Sequence, residues 1–233
     1  MSPPDEAEPA ATAPVLAIDG PSGSGKGTLA RLIAEDLGWH LLDSGAIYRI
    51  VGVMGGRADV DPDDEPAVAT LARSLQIKFG AQGEVSVNKI DLTDEIRTED
   101  AGVAASRIAA HPTVREAVLA VQRGFRRPPG LVADGRDMGT VVFPDAQFKI
   151  FLEASAQERA QRRYNQLKNK GLSVSLPALL AQIEDRDARD RNRVVAPLRP
   201  AQDALVIDST KMSIQEVQEQ VMAVIRGRAG NPS

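Results

Sequence analysis

Five short apolar runs stand out along the chain: VLAID (residues 15–19), HLLD (40–43), LVAD (131–134), FKIFLEA (148–154) and ALVID (204–208). Helical periodicity fills most of the intervals between them. Strands alternating with helices predict an α/β protein with a parallel sheet covered by helices on both faces. Several of the runs end in Asp or Ser, and in such sheets the strand carboxyl ends gather around one crevice. Two regions break the alternation. Residues 52–127 contain EVSVNKIDL, in which Val85, Val87, Ile90 and Leu92 predict two short strands around a turn, followed by helices. Residues 157–193 read as almost wholly helical and arginine-rich. Both are expected as insertions on a core formed by residues 15–51, 128–156 and 194–226, with tails at 1–14 and 227–233.

The last helix of the second region is predicted to start at Ser175, with Pro177 in its first turn. At about 100° per residue, Leu176, Leu179, Leu180 and Ile183 form an apolar stripe. Arg186, Arg189, Asp190 and Arg193 fall on a neighbouring arc, whereas Glu184, Asp185, Ala188, Arg191 and Asn192 project away. The run RDARDRNR therefore reads as a helix with one solvated side and one side aimed at the crevice.

Composition narrows the function. The 233 residues carry a net charge of −4 and are 3% aromatic, so neither a bulk positive field nor stacking platforms favour nucleic acid. The chain has no cysteine, which excludes disulfides and thiolate metal sites, and His40 and His111 are expected to be structural. No apolar run approaches the length of a membrane span. The first 14 residues are rich in Pro, Ala and acids, and the first basic residue is Lys26. They are expected to be a disordered tail rather than a targeting peptide, which points to the cytoplasm.

The chemistry begins after the first strand, with GPSGSGKGT: Gly20, Pro21, Ser22, Gly23, Ser24, Gly25, Lys26, Gly27 and Thr28. Glycines let backbone N–H groups turn inward around phosphate, the helix start adds partial positive charge, and Lys26 can reach a transferring phosphoryl group. Strand before and helix after supply the required context. One departure is Gly27 in the place where the general pattern has a Ser or Thr for Mg²⁺, with Thr28 one residue later. No direct protein ligand to Mg²⁺ is assigned; the ion is expected to bind through ATP phosphates and water. The GKGT ending resembles nucleoside monophosphate kinases. NKID (88–91) matches a guanine-recognition motif, but it falls on the predicted turn between half-polar strands and no DxxG accompanies it, so a hairpin turn is the reading.

LLDSGAIYR places Ser44 as a helix cap and Arg49 about one turn beyond it. LVADGRDMGT repeats that plan with Asp134, Gly135, Arg136 and Asp137 after a strand. Two arginine-bearing strand ends opposite a phosphate loop predict a second anion site.

The motifs IDGPSGSGKGT, WHLLDSGAIYR, EIRTEDAGVAASRIAAHPTVRE, ADGRDMGTVVFPDA and RDRNRVVAPL, in that order, closely resemble the bacterial cytidylate kinases from about residue 15 to 224. The resemblance implies a three-layer core like that of adenylate kinase, with five parallel strands, an acceptor-binding insertion and a helical lid. Among the residues of this chain it implies acceptor-phosphate ligands at Arg49, Arg136 and Arg193. Contacts to cytosine are implied at Ser106, Arg115 and Asp137, and contacts to ribose at Arg186 and Asp190; Ser44 belongs to the same pocket. Asp190, one turn after Arg186, can orient that arginine and leave an oxygen for a ribose hydroxyl. Cytosine's C4 amino group can donate to a carboxylate such as Asp137, whereas uracil presents an oxygen there.

The activity implied is transfer of the ATP γ-phosphoryl group to CMP or dCMP by a monomer, with neither nucleic acid nor membrane as a partner. The acceptor phosphate is largely dianionic at neutral pH, so no general base is needed. Charge neutralisation and positioning fall to Lys26, Mg²⁺ and lid arginines from Arg159, Arg162 and Arg163, with Arg163 first by position. Alternatives left open are a kinase acting on UMP or AMP, a nucleotide-dependent switch protein, and a nucleic-acid-stimulated ATPase.

Overall fold

A computed structural model describes residues 13–79, 84–169 and 171–229. In chain order the elements are β1 (Val15–Asp19), α1 (Lys26–Leu37), β2 (His40–Asp43), α2 (Ser44–Arg57), α3 (Glu65–Ser74), β3 (Ile77–Phe79), β4 (Val85–Val87), β5 (Ile90–Asp91), α4 (Glu99–Ile108), α5 (Pro112–Arg123), β6 (Leu131–Gly135), β7 (Phe148–Glu153), α6 (Ala156–Asn169), α7 (Leu176–Arg191), β8 (Leu205–Asp208) and α8 (Ile214–Ala229). Two compact units emerge, one of residues 1–42 and 125–233 and the other of residues 43–124.

The first unit is built on a five-stranded parallel sheet ordered β2-β6-β1-β7-β8. The five runs predicted as strands are these five strands. β1 and β6 are buried at every position, as a parallel sheet covered on both faces requires, and they run in register from Val15 opposite Leu131 to Asp19 opposite Gly135. The edge strands β2 and β8 each bury a single residue, Leu42 and Ile207. Leu29, Ala30, Ile33 and Ala34 of α1 and Val217, Val221, Met222 and Ile225 of α8 close over one face, on Leu16, Ile18, Ile150 and Leu152. That i, i+3, i+4 spacing is what makes each helix an apolar stripe.

Two expected tail boundaries move. Ala13 is buried, its carbonyl accepts from Arg126 Nε at 2.8 Å, and the Pro14 carbonyl accepts from Leu131 N. The order of the sheet thus extends two residues upstream of β1, and only residues 1–12 of the expected tail lie outside the described residues. At the other end α8 continues to Ala229.

In the second unit, α2 runs unbroken to Arg57, so the expected boundary at residue 52 falls inside a helix. Gly52 permits close packing there: a Cβ on it would lie 2.9 Å from Ala104 Cβ of α4. β3, β4 and β5 form a small antiparallel sheet whose first strand the hydrophobic pattern did not reveal. Asn88 and Lys89 both take positive φ, 50° and 70°, as a two-residue hairpin between twisted strands demands. Asn88 Oδ1 accepts from Gln76 N at 3.0 Å. NKID is therefore a hairpin turn, as its half-polar flanks indicated.

Candidate active site

The phosphate loop leaves β1 through Gly20, where φ is 155° and an added Cβ would lie 2.2 Å from the Leu152 carbonyl oxygen. No side chain fits there. Gly25, at φ 95°, opens α1. Lys26 is buried, donates to the Pro21 carbonyl at 3.0 Å and lies 3.8 Å from Asp134. Its ammonium is thus held between the loop backbone and the Asp134 carboxylate of β6. Ser24 Oγ is buried with no hydrogen-bond partner.

The three arginines of the predicted lid divide. Arg159 is buried, and its guanidinium donates to Ala154 O at 2.9 Å, Ser22 O at 2.9 Å and both Asp187 oxygens, at 3.1 and 2.5 Å. It braces the loop from behind, so the expectation of a lid arginine there is corrected. Arg162 donates to Ser209 O at 2.7 Å, to Glu158 at 3.0 Å and to Ser24 O at 3.5 Å. Arg163 donates to Gln166 of its own helix at 2.6 Å. Beside the loop lies a cavity of about 300 Å³ whose walls include Thr28, Leu152, Arg162, Met212, Ile214 and Val217. Sequence reading missed it, because Met212 and Ile214 meet Thr28 only in three dimensions.

The same unit holds an arginine cluster. Asp190 of α7 is 1% exposed; its Oδ2 accepts from Arg136 Nε at 2.9 Å and its Oδ1 accepts from Arg193. Burial pushes the Asp190 carboxyl up, but Arg136, Arg193 and Arg186 outweigh it and hold the group below the usual carboxylate range. The structure thus brings Arg136, Arg193 and Asp190 together, with Arg186 adding its charge. Each Asp190 oxygen accepts from one arginine, Arg136 or Arg193, and keeps a further lone pair of the kind a ribose hydroxyl would use. Arg189 is exposed and bonds back to Asp185 O at 3.4 Å, while Asp187 is buried. The inward arc of α7 is therefore rotated toward residues 183, 186, 187 and 190, away from the predicted Arg189.

Asp137 is buried just before a π-helical turn, Met138–Val142. Asp19, at the end of β1, fixes that turn: Oδ1 accepts from Met138 N and Oδ2 from Gly139 N, both at 2.8 Å. Desolvation, only partly offset by these two bonds and reinforced by Asp137 and Asp134, pushes the Asp19 carboxyl up to about 7. Sequence reading gave Asp19 no role.

The second unit carries the other predicted residues. Asp43 Oδ1 caps α2 by accepting from Ala46 N, so the cap lies one residue before the expected Ser44. Ser44 is buried and its Oγ accepts from Gln122 Nε2 at 2.7 Å. Arg49 Nη1 donates to the carbonyls of Ile96 and Thr98, at 2.8 and 2.9 Å. Arg115 is buried and donates to Ala109 O at 3.4 Å. Ser106 is 4% exposed, and its hydroxyl has no hydrogen-bond partner. A buried hydroxyl left unmade is costly, and it suits a group completed by a ligand. The histidines are structural as expected: His40 bonds to Pro128 O and His111 to Pro62 O, each at 2.9 Å.

Among the described residues no three His, Cys, Asp or Glu gather as a metal site, and no helix is long and apolar enough to cross a membrane.

The cytidylate kinase family model matches residues 16–227. A cytidylate kinase of Aeromonas salmonicida is 58% identical over 224 residues, covering 95% of this chain and 97% of that protein. One from Methylococcus capsulatus is 57% identical over 217 residues, covering 92% and 98%. Among solved structures, a shikimate kinase from Acinetobacter baumannii aligns at a TM-score of 0.45 and 15% identity, covering 94% of this chain and 98% of that one. By motif, by family model and by identity across nearly its whole length, the chain belongs to the cytidylate kinase family.

Proposed function

We infer that the chain is an ATP-dependent kinase that converts CMP and dCMP to CDP and dCDP. Beyond family membership, the observation that carries this reading is the cluster of Arg136, Arg193 and Arg186 around Asp190, in the same unit as the phosphate loop. Three guanidinium charges against one carboxylate leave two positive charges, the complement of a dianionic acceptor phosphate. Arg49 is proposed as a further phosphate ligand. Ser106, Arg115 and Asp137 are proposed to hold cytosine, Arg186 and Asp190 the ribose side, and Ser44 to complete the pocket. The Ser106 hydroxyl supports its role by being buried without a partner.

On the donor side, residues 20–28 wrap the ATP phosphates, and the cavity beside Thr28 and Met212 is proposed to take the adenine. Its apolar walls suit a base, and Arg162 can lie against a ring face. Lys26 neutralises charge as the phosphoryl group moves. Arg159 and Arg162 are committed to carbonyls of the loop, and Arg163 is the lid arginine we propose for the transition state. No general base is called for, because the acceptor oxygen is already deprotonated; the remaining task is to hold two anions in line.

The cofactor proposed is Mg²⁺. The oxygen donors near Lys26 fit a hard cation that keeps its waters: the Asp134 carboxylate, with an oxygen 3.1 Å from where a Gly27 Cβ would stand, and Thr28. Asp134 would hold the ion through water, and the bound ion would supply charge neutralisation on the phosphates.

We place this activity in the cytoplasm, in a chain acting as a monomer without nucleic-acid or membrane partners; the acidic net charge of −4 is in keeping with that. Incubation with Mg-ATP and single nucleoside monophosphates tests the reading. ADP formation is expected with CMP and dCMP, and equal rates with UMP or AMP would move the assignment to another acceptor.

A further inference from the structure

We propose that Arg159 and Asp187 form a positioning pair that keeps the phosphate loop in register with the helix carrying the arginine cluster. The inference rests on the phosphoryl-transfer reading above, but its physical core concerns only the loop and α7.

Arg159 is spent inside the protein. Its Nε and both terminal nitrogens make four hydrogen bonds at 2.5 to 3.1 Å, all to main-chain carbonyls or Asp187. Its stem lies against the loop, since a Cβ on Gly23 would touch the Arg159 Cβ at 3.5 Å. Its Nη1 holds the Ser22 carbonyl, and a carbonyl turned toward a guanidinium is not turned toward phosphate oxygens. Arg159 thereby favours the loop conformation whose N–H groups face inward.

Asp187 supplies the other half. It is 5% exposed, on α7, one residue from Arg186 and about one turn before Asp190, which organises Arg136 and Arg193. A shift of α7 would thus carry both the acceptor cluster and, through the bidentate pair, the Ser22 peptide. In-line transfer makes that register matter: a misplacement of about 1 Å can cost roughly 10²-fold in rate. Neither residue touches a reacting atom in this account. A buried ion pair of this kind is weak evidence of a stabilising role, because similarly shaped apolar residues often replace one without loss.

The test uses the full chain with Asp187→Asn, Arg159→Lys and the apolar double variant Arg159→Met/Asp187→Leu. Melting temperature, kcat, the KM values for ATP and CMP, and hydrogen exchange of a peptide covering residues 20–28 are measured for each. The double variant is expected to lose at least about 10-fold in kcat, with both KM values within about threefold of wild type and a melting shift of only a few degrees. Asp187→Asn is expected to raise exchange of the loop amides although the substitution lies on α7, and to fall between wild type and the double variant in kcat. Unchanged kcat and unchanged loop exchange would overturn the pairing, whether or not melting shifts. Should the double variant not fold, the two single variants decide by the same readouts. Should the wild type not phosphorylate CMP, the functional reading fails by itself, and exchange of the loop in Asp187→Asn still decides the pairing.

Discussion

Replacing Asp19 with Asn should flatten one component of the protein's pH-dependent stability. The carboxyl is 4% exposed and titrates at about 7, against 3.8 for the ordinary group. Between those values the native state keeps a proton that the unfolded chain has released. Stability from this group is therefore fully present below about pH 4, falls as pH rises, and levels off above about 7. The slope is about 1.4 kcal/mol per pH unit, or roughly 4 kcal/mol across the whole interval. Asn cannot titrate. Its amide oxygen can accept from only one of the two backbone N–H groups held at 2.8 Å, which lowers stability by an amount independent of pH and leaves the slope to Asp19 alone. Urea unfolding of both proteins at matched ionic strength, from about pH 5 to 8, reads the difference directly. Wild-type stability minus that of Asp19→Asn should fall by about 1 kcal/mol or more per unit up to near pH 7 and then stay level. Parallel curves, or a difference that grows with pH, would refute the assignment of this titration to Asp19. Since Met138 and Gly139 directly follow Asp137, the variant should also bind CMP more weakly at pH 8, where the wild-type carboxylate accepts from both.

Three further outcomes are expected. Lys26→Ala should lower kcat by about 10²-fold or more while still unfolding cooperatively, and wild-type turnover would remove Lys26 from the transfer step. Ser106→Ala should raise the KM for CMP by about 10-fold yet leave the ligand-free protein at least as stable in thermal melts, because its hydroxyl is buried with no partner to lose. Asp137→Ala should erode the preference for CMP over UMP, measured as a ratio of kcat/KM values; an unchanged ratio would take Asp137 out of base recognition.

What the sequence revealed depended on how local each signal was. β1, β6 and β7 are buried runs whose neighbours in space are other such runs, so composition alone marked them. The phosphate loop was legible because its glycines and Lys26 are contiguous. NKID was legible as a turn because Val85, Val87 and Ile90 alternate around it. The residues that escaped depend on partners distant in the chain. Arg159 sits in a charge run that reads as a solvated lid, and only Asp187 on another helix makes it a buried brace. Asp19 ends a strand as several residues do, and its role comes from two N–H groups far along the chain. Arg189 and Asp187 lie about 200° apart on one helix, and which of these two charged sides is buried is set by how α7 packs, not by the charge pattern along it. Gln122 carried no motif, yet it donates to the Ser44 hydroxyl and so directs that hydroxyl's own proton elsewhere.

The central claim is that the phosphate loop and the arginine cluster deliver a phosphoryl group to a cytidine monophosphate. It is tested most directly by incubating the protein with Mg-ATP labelled at the γ-phosphate and an equimolar mixture of CMP, UMP, AMP and GMP, then separating the products. The label is predicted to appear in CDP well ahead of every other diphosphate. Label released chiefly as inorganic phosphate, or spread evenly over the four diphosphates, would contradict the account.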